Sequence, residues 1–211
     1  MRMLVIPCYN ECGTIGKVIE STKVFFDKIV VYDDASNDGS EHLASEAGAL
    51  VVTGEKNVGY SEALRRGIET AISLGADQIV CMDADGQHQP KDVRTVSKML
   101  IGNVKLVVTK REKKQRKIES VAGFLYSAIY SISDPFSGLK GFSRDVGKQA
   151  IKKHMCVGLR IISAYYSLKD SSGGLVQVEI KCRERIGSSK FYSGLKGEFV
   201  LLGAMIRAQL F

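Results

Sequence analysis

The segment VCMDADGQHQP, residues 80–90, places two carboxylates two positions apart directly after an apolar run. In extended backbone, residues with this spacing point to the same side, so Asp83 and Asp85 are predicted to lie together. Their repulsion would raise the pKa of one carboxyl group unless a cation binds both. Mg²⁺ and Mn²⁺ prefer oxygen ligands, and magnesium commonly takes one or two carboxylates together with substrate phosphates. The segment therefore predicts a divalent-metal site, to which Gln87 could add a neutral oxygen.

Apolar, β-branched runs alternate with helix-like stretches on both sides of this segment. Strands are predicted at 3–7, 28–34, 49–54, 78–83 and 104–109, and helices at 14–26, 38–47, 58–74 and 91–101. Strands that are apolar along most of their length are typical of a parallel sheet with both faces covered. We therefore predict an α/β fold with a mostly parallel central sheet and helices on both faces.

Polar residues follow four of the predicted strands. They are Asn10 and Glu11, Asp33 and Asp34, Asp83 and Asp85, and Lys110 and Arg111. Ligands of open α/β sheets bind at the carboxyl ends of the strands. The functional site is therefore predicted at this edge of the sheet.

The second half of the chain has a less regular pattern. Residues 118–133 are predicted to form an amphipathic or half-buried helix, and residues 176–185 a strand. The apolar segment 199–211 is too short to span a bilayer, so a core or membrane-interfacial helix is expected there. The sequence contains no recognisable linker or repeat, and a single domain is predicted.

The composition, with 45% hydrophobic and 25% charged residues, is that of an ordinary globular protein. The chain has no apolar run of roughly 18 residues, and its first residues turn polar too early for a signal peptide. The five cysteines include no C-x-x-C pair, which agrees with the cytoplasm. The net charge of +7 is concentrated in KREKKQRK, residues 110–117, with six basic residues. Such a run attracts phosphates, nucleic acid or an anionic membrane surface.

Four segments occur in a fixed order: VIPCYNE (5–11), VVYDDASNDGS (30–40), NVGYSEALRRGIETA (57–71) and VCMDADGQHQP (80–90). Together they resemble the family 2 glycosyltransferases, whose GT-A-type fold binds nucleotide sugars. Arg111, DPFSGLKGFSR (134–144) and RERIGSSK (183–190) are similar to the dolichyl-phosphate mannosyltransferase branch, which uses polyprenyl phosphates. The resemblance covers residues 1–196, the expected catalytic domain, and leaves 197–211 as the apolar C-terminal helix.

The resemblance implies roles for individual residues. The nucleoside is expected to contact Pro7, Tyr9, Glu11, Tyr32 and Asp34. The metal and the diphosphate are expected at Asp83, the backbone of Ala84, Asp85 and Gln87, with Mg²⁺ or Mn²⁺ as the cofactor. Arg111 is expected to contact a donor or acceptor phosphate. Arg185 and Lys190 are expected on a loop that closes over the phosphates, where Arg183 could share their role.

The implied reaction is a metal-dependent transfer that inverts the anomeric carbon of the sugar. Mannose from GDP-mannose is expected, although the residues leave the base (GDP or UDP) and the sugar open. If the acceptor is a dolichyl or other polyprenyl phosphate, no strong base is needed, because a phosphate monoester has a second pKa of about 6. If the acceptor is a sugar hydroxyl, a carboxylate base is required, and Asp134 is the candidate.

Two alternatives remain beside this first interpretation. One is a soluble family 2 glycosyltransferase with a glycan hydroxyl as acceptor, and the other is a non-catalytic module that binds nucleotides or nucleic acid. The complete D-x-D-x-Q pattern argues against the non-catalytic module, and the lack of aromatic residues in 110–117 argues against nucleic acid. The basic run and the helix at 118–133 are expected to lie on the cytoplasmic membrane face, as in a peripheral protein. A separate membrane-anchoring subunit is a further candidate partner.

Overall fold

A computed structural model describes residues 1–112, 117–153, 156–168 and 174–183. Within these residues one sheet contains the strands β1 (Arg2–Cys8), β2 (Lys28–Asp33), β3 (Leu50–Thr53), β4 (Gln78–Cys81), β5 (Leu106–Arg111), β6 (Lys140–Ser143) and β7 (Leu175–Ile180). The helices are α1 (Ile15–Thr22), α2 (Ser40–Glu46), α3 (Tyr60–Ser73), α4 (Pro90–Met99), α5 (Lys117–Tyr130), α6 (Arg144–Ala150) and α7 (Val157–Ser167). A short 3-10 helix, Lys23–Phe25, follows α1.

The strands lie in the order β3-β2-β1-β4-β6-β5-β7. All neighbouring pairs are parallel except those made by β6, which runs antiparallel to both β4 and β5. Since β6 runs in the opposite direction, its first residue lies at the edge where β4 and β5 end. Lys140 therefore pairs with Cys81 on one side and with Val108 on the other.

Helices cover both faces of the sheet. Successive residues of β1 point to opposite faces: Leu4 and Ile6 pack in one core with α1 and α4, and Met3 and Val5 pack in the other with α3, α6 and α7. This double burial explains why the strand is apolar along its length. The predicted α/β fold with a mostly parallel sheet and helices on both faces is confirmed.

The predicted elements of the first half are all present, with ends that differ by only a few residues. The helix predicted at 118–133 ends earlier, at Tyr130, and the strand predicted at 176–185 ends at Ile180. Strand β6 and helices α6 and α7 have no counterpart among the predicted elements. The helix predicted at 199–211 and the domain boundary at 196 lie outside the described residues.

Candidate active site

Asp83 lies in the loop between β4 and α4, and three neighbours fix its carboxylate. The Tyr60 hydroxyl, at the start of α3, donates a hydrogen bond to Asp83 Oδ1 over 2.9 Å. The Nε2 atom of His88 lies 3.5 Å from Asp83 Oδ2. A Cβ atom built on Gly138 would overlap the same carboxylate, so the backbone at Gly138 can approach Asp83 only because it has no side chain. Asp83 is thereby confined on three sides, while 32% of its side-chain surface remains exposed.

Asp85 is almost fully buried, and its Oδ1 accepts a hydrogen bond from the Gln87 backbone N–H over 3.0 Å. Both carboxylates are close to Tyr60. Burial, followed by the negative charges of Asp83 and Asp85, raises the pKa of the Tyr60 phenol well above its usual range. The phenol therefore keeps its proton and acts as a donor toward Asp83.

The two carboxylates fit a divalent cation by their chemistry, because hard cations take carboxylate oxygens. Across the described residues no group of three or more His, Cys, Asp or Glu side chains is arranged to hold a metal ion. The described part of the chain thus offers the two carboxylates of Asp83 and Asp85 and not a complete set of protein ligands. A diphosphate would supply further oxygen ligands. The predicted ligand set of Asp83, Asp85 and Gln87 stays a prediction.

His88 was not assigned a role from the sequence, although it lies within the segment 80–90. It is 5% exposed, and neither ring nitrogen has a hydrogen-bond partner among the described residues. Burial alone would lower the pKa of His88, but the carboxylate of Asp83 raises it to about 9. A protonated His88 therefore balances the charge of Asp83, whose own pKa it helps to hold below the usual range against the effect of burial.

The residues predicted to hold the nucleoside lie around the ends of β1 and β2. Pro7 and Tyr32 are register partners on these two strands, and Tyr9 is 37% exposed just beyond β1. Glu11 follows in the same loop, where its backbone N–H donates to Ser40 Oγ over 2.8 Å. The geometry brings these residues to one edge of the sheet, and their contact with a nucleoside stays a prediction.

Asp34 and Tyr32 also make contacts that organise the neighbouring chain. The two carboxylate oxygens of Asp34 accept hydrogen bonds from the backbone N–H groups of Val58 and Gly59, each over 2.8 Å. Asp34 thereby ties the end of β2 to the start of α3. Tyr32 accepts a hydrogen bond from Arg66 and lines a cleft of about 520 Å³ beside β3 and α3.

Arg111 and Asp134, predicted separately, form a buried ion pair. Arg111 Nε and Nη2 donate to the two oxygens of Asp134 over 2.8 and 2.9 Å, and Nη2 also donates to Glu119 Oε2 over 2.9 Å. Burial alone would raise the pKa of the Asp134 carboxyl, but hydrogen bonds from Arg111 outweigh it and lower the pKa. A carboxylate with a lowered pKa is a weaker general base. The phosphate contact of Arg111 and the base role of Asp134 stay predictions. The base role would require the ion pair to open, because Arg111 binds both carboxylate oxygens of Asp134.

Lys140, at the start of β6, is a further buried charge that the sequence did not indicate. It is 3% exposed, and its Nζ donates to the backbone carbonyl of Ser137. Burial lowers the pKa of Lys140 to about 8, although the charges of Asp134 and Asp83 oppose the shift. The lysine stands between the loop of Asp83 and the Arg111–Asp134 pair. Only the antiparallel insertion of β6 places it there.

The chain after β7 lies against the loop of the two aspartates. The Arg183 backbone N–H donates to the Gln87 carbonyl over 2.9 Å, and the Gln87 side-chain amide lies 3.4 Å from the Arg183 carbonyl. Arg185 and Lys190 lie outside the described residues, as do residues 113–116 of the basic run. Lys110, the first residue of that run, pairs on the surface with Glu179 over 2.7 Å.

Exposed apolar side chains occur on α5, which follows the basic run. Phe124 is 75% exposed and Ile129 is 57% exposed. Of the helices in the described ranges, none has the length and apolar character needed to cross a bilayer.

The chain as a whole is similar to known sugar transferases. The family model for glycosyl transferase family 2 matches residues 3–154. A UDP-N-acetylglucosamine–dolichyl-phosphate N-acetylglucosaminyltransferase of Methanococcus voltae is 29% identical, covering 69% of this chain and 70% of the relative. An undecaprenyl-phosphate mannosyltransferase of Micrococcus luteus is 28% identical, covering 95% of this chain and 92% of the relative.

Solved structures share the fold. The structure of glucosyl-3-phosphoglycerate synthase from Mycobacterium tuberculosis with Mn²⁺ and UDP-glucose aligns with a TM-score of 0.76 and 22% identity. The alignment covers 99% of this chain and 78% of that structure. At this level of identity the likeness concerns the fold.

Proposed function

Since the chain belongs to glycosyl transferase family 2, we propose that it transfers a sugar from a nucleotide sugar to a polyprenyl phosphate. The predicted family and enzyme class are confirmed, and so is the GT-A-type fold, which the solved glycosyltransferase structures share. The proposal concerns the donor site, the acceptor and the membrane contact. It rests above all on the carboxylates of Asp83 and Asp85 at the end of β4.

The donor is proposed to bind at the carboxyl ends of β1, β2 and β4. When the nucleoside diphosphate leaves, it develops negative charge, and a bound Mg²⁺ or Mn²⁺ would supply the positive charge that neutralises it. Asp83 and Asp85 would hold the cation, and the hydrogen bond from the Gln87 backbone keeps Asp85 in place. Pro7, Tyr9 and Tyr32 border the region proposed for the nucleoside.

The acceptor is proposed to be a polyprenyl phosphate because relatives named for such acceptors match most of the chain. The site adds a physical reason. Asp134, the candidate base for a hydroxyl acceptor, is bound on both oxygens by Arg111 and has a lowered pKa. A phosphate monoester, largely ionised at neutral pH, attacks without a base. The arrangement of Asp134 therefore favours the phosphate acceptor over the hydroxyl acceptor.

A transfer assay tests this function. We expect the protein to form a polyprenyl-phosphate sugar from one of GDP-mannose, UDP-N-acetylglucosamine or UDP-glucose, in the presence of Mn²⁺ or Mg²⁺. Mannose from GDP-mannose is the proposed first choice. Chelation of the metal should stop the reaction, because the diphosphate would then leave without a counter-charge. If product forms only with sugar hydroxyls as acceptors, the soluble glycan-extending alternative replaces this proposal.

Membrane contact at the cytoplasmic face is proposed for the segment that begins with the basic run and continues into α5. Phe124 and Ile129 expose apolar surface on α5. The basic residues of 110–117 other than the buried Arg111 would face anionic lipid headgroups. A lipid acceptor would thereby reach the site from the membrane surface. A membrane-anchoring subunit remains a predicted partner.

Flotation with liposomes checks this contact. Burial of a large apolar side chain contributes about 1.5–3 kcal/mol, so the double substitution Phe124→Ser and Ile129→Ser should weaken binding to anionic liposomes by at least about tenfold. Val24 is 77% exposed on the 3-10 helix that follows α1. Val24→Ser is the matched control and should leave flotation unchanged. Equal flotation of the double variant and the wild type would exclude α5 as the contact.

A further inference from the structure

We propose that Tyr60 is a positioning residue for the metal site, and that it acts by holding the carboxylate of Asp83 in a single orientation. The inference rests on the proposed donor site and adds a residue to it. The hydroxyl of Tyr60 donates to Asp83 Oδ1 over 2.9 Å, while His88 and Gly138 border Oδ2. A hydrogen bond to a liganding carboxylate fixes its orientation and tunes its affinity for the metal.

The position of Tyr60 is itself fixed by the fold. It is the first residue of α3, directly after Gly59, whose backbone N–H is bound to Asp34 Oδ2 over 2.8 Å. Gly59 has a φ of 86°, a conformation that favours glycine. The end of β2 therefore sets where α3 begins, and the start of α3 sets where the phenol meets the loop after β4. One chain of contacts connects the proposed nucleoside region to the metal site.

Gly138 restrains the Asp83 carboxylate next to Oδ2, the oxygen that Tyr60 does not bind. Any side chain at this position would overlap the Asp83 carboxylate, so the carboxylate fills the space that a Cβ atom would need. The Tyr60 hydroxyl thus donates to Oδ1 of Asp83, and the Gly138 backbone packs against Oδ2. Loss of the Tyr60 hydroxyl leaves the carboxylate free to turn, and a side chain at position 138 pushes it aside. In either case the cation must restore the orientation of the carboxylate at a cost in affinity.

Manganese binding in the presence of a nucleoside diphosphate tests this role without turnover. The free Mn²⁺ signal in electron paramagnetic resonance, titrated with UDP or GDP present, gives the half-saturating metal concentration. We expect Tyr60→Phe to raise this concentration by about tenfold. We expect Gly138→Ala to raise it further, because it displaces the carboxylate. Tyr166→Phe is the matched control, because it removes a tyrosine hydroxyl that donates to the Tyr130 backbone carbonyl and not to Asp83. This variant should bind Mn²⁺ like the wild type.

Transfer assays add a second readout. The activity lost in Tyr60→Phe should recover as Mn²⁺ approaches saturation, because the variant lacks orientation of a ligand and not the ligand itself. An unchanged Mn²⁺ half-saturation in folded Tyr60→Phe would overturn the inference and leave the donor site intact. A lowered unfolding temperature with unchanged half-saturation would show a purely structural role and overturn it equally. A wild type that binds no Mn²⁺ with either nucleotide would overturn the donor site, and the inference with it.

Discussion

Replacement of Asp85 by alanine is expected to abolish sugar transfer, with a fall in turnover of at least about a thousandfold. Asp85 is 4% exposed, and the Gln87 backbone N–H holds its carboxylate in the same loop that carries Asp83. Without Asp85 the cation would keep only one carboxylate from this pair. The diphosphate leaving group would then develop its charge with little compensation. Steady-state transfer from the preferred nucleotide sugar measures the effect.

The matched control for this substitution is Asp145→Ala, which removes an exposed carboxylate from the first turn of α6. We expect Asp145→Ala to keep wild-type turnover, and circular dichroism should show both variants folded. Turnover retained by Asp85→Ala within about tenfold of the wild type would contradict the assignment of Asp85 to the metal site.

Replacement of Asp134 by alanine is expected to lower the free energy of unfolding by about 3–5 kcal/mol, because it leaves a buried charge without its main partner. Arg111 is 9% exposed and donates three hydrogen bonds to Asp134, two from the guanidinium and one from the backbone N–H. Chemical denaturation of the metal-free protein measures the loss.

Glu179→Ala provides the control, since it breaks an exposed pair between Lys110, the neighbour of Arg111 on β5, and Glu179 on β7. Exposed ion pairs contribute little, and we expect this variant to unfold like the wild type. If Asp134→Ala instead loses transfer to hydroxyl acceptors while its stability stays within about 1 kcal/mol of the wild type, Asp134 is the general base and the ion-pair interpretation is wrong.

The contribution of Asp134 should depend on pH in the acid range. Because the pKa of Asp134 is lower in the folded protein than its ordinary value of 3.8, the folded state favours the ionised carboxyl. Its stabilisation is therefore complete above that ordinary value and is lost as the pH falls through the lower, folded value. The difference in unfolding free energy between wild type and Asp134→Ala should be constant from pH 7 to pH 5 and shrink below about pH 4.

The first five strands could be predicted because each is a short apolar run between helix-like stretches, and burial on both faces makes that pattern strong. Strand β6 could not, because its four residues KGFS include a buried lysine and a glycine. Its place between β4 and β5 depends on tertiary packing, which no local periodicity encodes. Helices α6 and α7 follow β6 and were missed with it.

The candidate site, like the sheet, could be predicted from the sequence only in part. The spacing of Asp83 and Asp85 is visible in the sequence because both lie in one loop. Tyr60 is 23 positions away from Asp83, and its role depends on how α3 meets the loop after β4. Arg111 and Asp134 were both identified as candidates, yet their pairing across 23 positions appears only in the folded protein. Residues with suitable chemistry can therefore be identified in the sequence, but the hydrogen bonds and ion pairs that they form with distant residues cannot.

Anomalous scattering from Mn²⁺ in crystals grown with UDP or GDP tests the proposed donor site most directly. We expect a single strong peak beside the carboxylates of Asp83 and Asp85, with the nucleoside beside Pro7 and Tyr32. Mn²⁺ bound elsewhere, or a nucleotide bound without metal contact to Asp83 or Asp85, would contradict the central claim that these two carboxylates form the metal-dependent nucleotide-sugar site.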